Sequence, residues 1–225
     1  MKKKLFLHIG TYKTGSTSIQ RFSLDHADDL RRQGIAFYRG QFKAENHLEL
    51  YLASLRHERD SFAKLGVCQH ITFDASFTRQ IADRVHDFLS RCQEPCVLFT
   101  SEGLSLLRYA DEIDRLSAIL DAGNADVQVI LYLRNKADFL RSYTNQLYKM
   151  KGRRPSQNRK SALYVEADTW LTDYDSLIST YQKGFGAGNV VVINYDEEMK
   201  RDGNVIPSFL RAVGVDASQN MDVAS

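Results

Sequence analysis

The chain has 225 residues, of which 43% are hydrophobic and 26% are charged, and its formal net charge at pH 7 is +2. This length suffices for a single domain over residues 1–225 with a buried central sheet, and so small a net charge gives no reason to expect a nucleic acid as partner. No stretch approaches the roughly 20 apolar residues of a membrane span, and the apolar segment after Met1 is too short for a signal peptide.

Strands and helices are predicted to alternate along the chain. Short apolar runs typical of buried strands lie at 4–9, 35–38, 96–100, 127–133 and 189–195. Helical spacing of apolar residues predicts helices over 16–34, 76–92, 111–120, 135–149, 171–182 and 207–212. This alternation predicts a three-layer α/β fold, in which helices flank a central parallel sheet of about 4–5 strands with a topology like that of P-loop NTPases.

The cysteines indicate a reducing compartment. Cys68, Cys92 and Cys96 are odd in number and form no Cys-x-x-Cys pair, which argues against a disulfide framework and a zinc site. The sequence offers no other obvious metal-binding cluster. We therefore expect buried thiols in a cytoplasmic protein without a metal.

A glycine-containing turn, GTYKTGSTS over residues 10–18, follows the first predicted strand. A loop that binds nucleoside triphosphates reads Gly-x4-Gly-Lys-Ser/Thr. This chain keeps both glycines and Thr17, but it has Ser16 in place of the lysine and carries its lysine at Lys13, inside the loop. The pattern favours a phosphate-binding loop. Its lysine, Lys13, is placed for the breaking of a different bond from the one broken in a nucleoside triphosphate.

The position of this turn at the start of a helix suits an anion. Free backbone N–H groups and the helix dipole attract negative charge there, and two glycines allow close approach of the backbone. The candidate phosphate-binding residues are Lys13, Thr14, Gly15, Ser16, Thr17 and Ser18. The alternative is a polar turn that contains glycines without binding anything.

The segments LHIG (7–10) and KTGSTSIQ (13–20) resemble the 5′-phosphosulfate loop of sulfotransferases, which use 3′-phosphoadenosine 5′-phosphosulfate (PAPS) as sulfuryl donor. A second segment, VILYLR, ends at Arg134 and is followed eight residues later by Ser142. It is similar to the family's 3′-phosphate segment, although Lys136 stands where the family often has proline. The resemblance implies that Arg134 and Ser142 hold the 3′-phosphate, with adenosine 3′,5′-bisphosphate as product.

A basic stretch over 151–160 contains Arg153 and Arg154. The resemblance implies that these arginines close over the 3′-phosphate. Alternatively, this stretch attracts an acidic acceptor, or it is a solvated loop that binds no ligand.

Two residues are candidates for the general base of such an enzyme. Glu102 follows the strand predicted at 96–100, and bacterial and glycan-type sulfotransferases resemble this Ser-Glu pattern. His47 is the rival, because its ordinary pKa suits proton transfer. His8, inside the first strand, is expected to pack in the core. Lys13 is expected to stabilise the leaving 5′-phosphate.

The resemblance covers roughly residues 4–215 and is to bacterial members of the family. It implies transfer of a sulfuryl group to a hydroxyl or amine of a small molecule or glycan. The chain ends soon after Val215, which favours a truncated or divergent C-terminal part. A kinase-like enzyme with a P-loop and a non-catalytic nucleotide-binding domain are the alternatives, and the acceptor and the oligomeric state stay open.

Overall fold

A five-stranded parallel sheet forms the centre of the computed structural model, which describes residues 2–66, 70–149 and 154–216. The strands are β1 (Lys3–His8), β2 (Ile35–Phe37), β3 (Cys96–Thr100), β4 (Ala125–Leu133) and β5 (Val190–Asn194). Their order in the sheet is β2-β3-β1-β4-β5, and every neighbouring pair is parallel. The predicted fold class is confirmed, and each strand lies within two residues of its predicted position.

Helices cover both faces of this sheet. They are α1 (Ser16–Asp25), α2 (Ala27–Arg32), α3 (Leu48–Ser54), α4 (Phe62–Leu65), α5 (Ala75–Arg91), α6 (Ala110–Ile119), α7 (Lys136–Lys149), α8 (Tyr174–Phe185), α9 (Tyr195–Asp202) and α10 (Ile206–Val213). Short 3-10 turns lie at Glu102–Leu106, Trp170–Thr172 and Ala187–Asn189. Among the described residues, none of the helices combines the length and apolar character needed to cross a bilayer.

Alternating side chains of the central strands divide the interior into two cores. Leu5 and Leu7 of β1 point into the core under α3, α5, α6, α7 and α8, whereas Phe6 points into the core under α1, α2 and α10. The same alternation continues in β4, where Val129 and Ile130 belong to different cores. A strand buried on both faces is apolar nearly throughout, which is why the sequence pattern located β1, β3 and β4 so closely.

Two helical predictions need correction. The helix predicted over 16–34 is two helices, because the chain leaves helical geometry at His26, whose ring Nδ1 lies 3.0 Å from Asp29 Oδ2 in the first turn of α2. The helix predicted over 171–182 begins only at Tyr174, since the side chain of Asp173 caps it by accepting the N–H of Ser176 at 3.1 Å.

Helix α9 was not predicted at all. It has no fully buried residue, and only Tyr195 and Met199 pack half-buried against the core, so its apolar periodicity is weak. Its start is set instead by Asn194, whose side chain accepts the N–H groups of Asp196 and Glu197.

One buried carboxylate holds the segment after α3 against the start of α6. Glu112 is fully buried, and both of its oxygens lie 2.8 Å from Nη1 of Arg59. The same carboxylate also accepts the backbone N–H groups of Arg56, Arg108 and Tyr109. Because several donors converge on one buried group, removing its charge leaves a buried guanidinium without its counterion.

Replacing Glu112 by Gln is expected to lower the free energy of unfolding by about 3 kcal/mol, the usual cost of breaking a buried ion pair. Urea denaturation measures the change. The control is Asp87→Asn, which removes the exposed ion pair of Asp87 with Arg91 and is expected to cost under about 0.5 kcal/mol. Equal losses in the two variants would contradict the role given to Glu112.

Candidate functional site

The carboxyl ends of three neighbouring strands bring the predicted site segments together. β1 lies between β3 and β4, with His8 paired to Thr100 on one side and Ile130 on the other. The loop after β1, the Ser101–Glu102 pair after β3 and Arg134 after β4 therefore emerge at one edge of the sheet. Ligands of open parallel sheets bind at this edge.

The loop after β1 adopts a conformation that few residues tolerate. Lys13 has φ 69° and Gly15 has φ 75°, both in the left-handed region. At Gly15 a Cβ would lie 2.7 Å from Val205 Cγ2, so only glycine fits without a shift. The first described bond of α1 runs from Ile19 N to Gly15 O at 3.1 Å, and the amides before Ile19 are those that a helix leaves for an external partner.

The hydroxyl groups of this loop differ in their surroundings. Thr14 is buried and its hydroxyl donates to Thr11 O at 2.6 Å, so this side chain closes the loop instead of facing a ligand. Ser16 is also buried, but its Oγ has no hydrogen-bond partner within the described part of the chain. Thr17 and Ser18 are exposed. Ser16 therefore holds a buried polar atom next to the free helix amides.

The two predicted phosphate-binding segments, about 120 residues apart in sequence, meet in space. Nη1 of Arg134 lies 3.3 Å from the carbonyl oxygen of Lys13 and 3.3 Å from Oγ of Ser142. Lys13 Nζ donates to Gln146 Oε1 at 2.9 Å, and Gln146 lies one turn after Ser142 on α7. The arginine also lies over the ring of Tyr195, at 5.2 Å from its centroid.

Glu102 is fixed by two amide side chains. Gln20 Nε2 donates to Glu102 Oε2 at 2.6 Å, and Asn46 Nδ2 lies 3.3 Å from Oε1 and 3.2 Å from Oε2. Gln20 and Asn46 are buried, whereas Glu102 is half-buried. Neither amide was identified from the sequence. Gln20 could have been found from its position four residues after Ser16, on the same face of α1.

His47 is buried beside the end of β3. It is fully buried among Phe37, Tyr38 and Phe99, and its Nδ1 accepts the backbone N–H of Thr100 at 2.9 Å. Burial lowers the pKa of His47 to about 3. The prediction of His47 as a base is at odds with this placement, because an imidazole with so low a pKa is a weak proton acceptor and the ring is packed in the core.

His8 has a similar environment. It is fully buried, its Nδ1 lies 2.7 Å from Thr100 Oγ1, and burial lowers its pKa to about 3. Tyr132 and Phe209 pack edge-on against the ring. This position agrees with the expectation that His8 packs in the core.

An open cleft of about 600 Å³ joins these groups. Six of the predicted site residues line it, namely Lys13, Gly15, Ser16, Thr17, Glu102 and Arg134. The remainder of its lining consists of Tyr12, Lys43, Asn46, Leu48, Tyr51, Phe62, Ala63, Gln146 and Tyr195. The lining therefore combines charged groups, such as Lys13, Glu102 and Arg134, with aromatic side chains such as Tyr12 and Phe62.

Other predicted residues lie elsewhere. Ser142 reaches the cleft only through Arg134, and Thr14 and Ser18 do not line it. Arg154 is exposed and not part of the lining, while Arg153 lies outside the described residues. Within the described ranges, no group of three or more His, Cys, Asp or Glu side chains is placed to hold a metal ion.

Solved structures of sulfotransferases have the same fold. The sulfotransferase from Alicyclobacillus acidocaldarius is 18% identical, with a TM-score of 0.63 over 100% of this chain and 86% of that chain. The sulfotransferase domain from the curacin biosynthetic pathway is 12% identical, with a TM-score of 0.52 over 96% of this chain and 75% of that domain. Mouse sulfotransferase SULT7A1 complexed with PAP is 15% identical over 96% of this chain and 60% of that chain. Its TM-score of 0.47 is too low to support a likeness of fold.

No protein-family model and no curated protein matches the chain. The resemblance drawn from the sequence is confirmed for the fold, since the chain has the P-loop-like α/β fold of these sulfotransferase structures. At such low identity the likeness concerns the fold alone.

The two buried histidines predict a pH-dependent stability. Their folded-state pKa of about 3 lies below the ordinary 6.5, so the unfolded chain takes up protons first and stability is lost as pH falls below 6.5. We expect a loss of about 2–3 kcal/mol between pH 7.5 and pH 5.5 from the pair. Urea denaturation at several pH values measures it.

His47→Gln is expected to halve this pH slope, because one of the two proton-binding groups is removed. His57→Gln, at an exposed histidine, is the control and should leave the slope unchanged. A parent protein equally stable at pH 7.5 and pH 5.5 would refute the assignment.

Proposed function

We propose that the chain is a PAPS-dependent sulfotransferase that transfers a sulfuryl group to a hydroxyl or amine of a small molecule or glycan. The observation that carries this proposal is the contact between the two phosphate segments, in which Arg134 lies 3.3 Å from both Lys13 O and Ser142 Oγ. The proposal takes residues 1–225 as one sulfotransferase-like domain.

The residues of the cleft suit the donor. The helix amides after Gly15, the unpartnered Oγ of Ser16 and the Lys13 ammonium provide donors for a 5′-phosphate, with Thr17 at the rim. Arg134 and Ser142 suit a second phosphate at the other end of the nucleoside, since a guanidinium binds phosphate through two parallel hydrogen bonds. Bound PAPS would supply the sulfuryl group and the 5′-phosphate leaving group.

Two residues of the chain would act on the reacting atoms. Charge builds on the oxygen that leaves with the 5′-phosphate, and the Lys13 ammonium at the loop is placed to stabilise it. Glu102, which also lines the cleft, would take the proton of the acceptor hydroxyl. The burial of His47 favours Glu102 over His47 for this role.

The loop sequence does not favour the kinase-like alternative. Ser16 stands where the lysine that holds the β- and γ-phosphates would be, and Lys13 donates to Gln146 across the loop. A non-catalytic nucleotide-binding domain would bind the bisphosphate and give no turnover, so the experiments below distinguish it from an enzyme.

Lys13→Ala is expected to lower kcat for sulfuryl transfer by at least about 100-fold, because one preorganised charge at the leaving oxygen is lost. Transfer is measured as release of adenosine 3′,5′-bisphosphate from PAPS with a panel of phenols, monosaccharides and amines. The control is Lys183→Ala, an exposed lysine on α8. Unchanged transfer by Lys13→Ala would contradict the role given to Lys13. Absence of transfer by the parent protein would contradict the proposal that the chain is a sulfotransferase.

Arg134→Ala is expected to weaken binding of adenosine 3′,5′-bisphosphate by about 10- to 100-fold, the value of one or two charge-assisted hydrogen bonds. Isothermal titration calorimetry measures this without turnover. Arg141→Ala, which removes an exposed arginine from α7, should bind as the parent does. If the parent itself shows no binding of the bisphosphate, the donor assignment is wrong.

A further inference from the structure

The carboxylate in the cleft receives both of its described side-chain hydrogen bonds from amides. An ionised carboxylate only accepts, so Gln20 and Asn46 must turn their NH2 groups toward Glu102. Gln20 contacts Oε2 at 2.6 Å, and Asn46 spans both oxygens at 3.2 and 3.3 Å. No lysine, arginine or histidine nitrogen of the described residues lies within 4.0 Å of this carboxylate. Neutral donors orient the group without cancelling its charge.

Gln20 ties this carboxylate to the phosphate loop. It lies four residues after Ser16 on α1, and both side chains are buried on the same face of the helix. A helix is stiff over one turn, so the distance from the loop amides to Gln20 is fixed by backbone geometry. The element that begins at the candidate phosphate site therefore also holds the candidate base.

Asn46 is anchored by its neighbour in sequence. His47 N donates to Thr100 O at 3.0 Å, and Thr100 N donates to His47 Nδ1 at 2.9 Å, which joins the loop before α3 to the end of β3. Asn46 N is itself bonded to Lys43 O at 3.2 Å within a tight turn. This pairing places Asn46 beside Glu102, two residues beyond Thr100.

We propose that Gln20 and Asn46 form an amide clamp that positions the Glu102 carboxylate for proton abstraction from the acceptor, with Gln20 linking this base to the loop that holds the donor. The clamp rests on the proposed function. Both amides contact Glu102 and are proposed to act through it, so both are positioning residues. In-line displacement needs the acceptor oxygen opposite the leaving group, and a base fixed to the same helix as the phosphate loop maintains that alignment.

The test is a double-mutant cycle with Gln20→Met, which keeps the length of the side chain and removes its donor. We expect kcat to fall by about 10- to 100-fold while the KM for PAPS changes by less than about 2-fold. In a Glu102→Ala background, Gln20→Met should cost less than about 2-fold more, because the group on which it acts is absent. Asn46→Leu should behave in the same way.

A control variant and a binding measurement separate this role from others. Gln93→Met makes the same chemical change at an exposed glutamine and should leave kcat unchanged. Calorimetry should show that Gln20→Met binds the bisphosphate within about 2-fold of the parent; a larger loss would assign Gln20 to donor binding and overturn the clamp. Independent, multiplying effects of Gln20→Met and Glu102→Ala on kcat would overturn it too.

The same experiments distinguish a failure of the proposed function from a failure of the clamp. If the parent transfers no sulfuryl group to any acceptor of the panel, the proposed function falls. The physical pairing is then decided by urea denaturation midpoints of Gln20→Met, Glu102→Ala and the double variant, which should be non-additive for a clamp. Additive midpoints would overturn the clamp whatever the activity.

Discussion

The parallel pairing of β1 with both β3 and β4 is the constraint on which the rest of the structure depends. Residues of β1 are buried on both faces, and the register of its pairing fixes where each neighbouring strand ends. The polar groups of the cleft come from segments far apart in the chain, and this register brings the ends of the three strands together. A slip of one residue would exchange the two cores and move Arg134 away from the loop.

Thr100 connects this sheet to the site. Its side chain contacts His8, and its backbone N–H and C=O both bond to His47. The two histidines remain neutral because burial lowers the pKa of each to about 3. Each neutral imidazole contacts Thr100 through its Nδ1, in an interior where an ammonium or carboxylate would be costly. The histidine that the sequence suggested as a base thus has a structural use that supports the other candidate.

The sequence was most informative where apolar pattern and chemistry coincide. Strands buried on both faces could be recognised from their apolar runs. The loop with Lys13 could be recognised because its glycines, its lysine and the start of a helix are neighbours in sequence. The contacts of Glu102 could not, because Gln20 and Asn46 are separated from it by 82 and 56 residues and an isolated amide carries no pattern. Helix α9 was missed for a related reason: a polar cap sets its start, and only Tyr195 and Met199, both half-buried, pack against the core.

The displaced lysine is held by contacts from outside its own loop. A left-handed φ at a residue other than glycine costs about 1–2 kcal/mol, and it persists only where the surroundings fix it. Here Arg134 binds the carbonyl of Lys13 and Gln146 binds its ammonium, so β4 and α7 together maintain the strained conformation. Since Arg134 and Ser142 are also the candidate 3′-phosphate ligands, an anion bound there would act on the same side chain that holds Lys13. The loop that carries Lys13 and the candidate 3′-phosphate residues are therefore joined through one guanidinium.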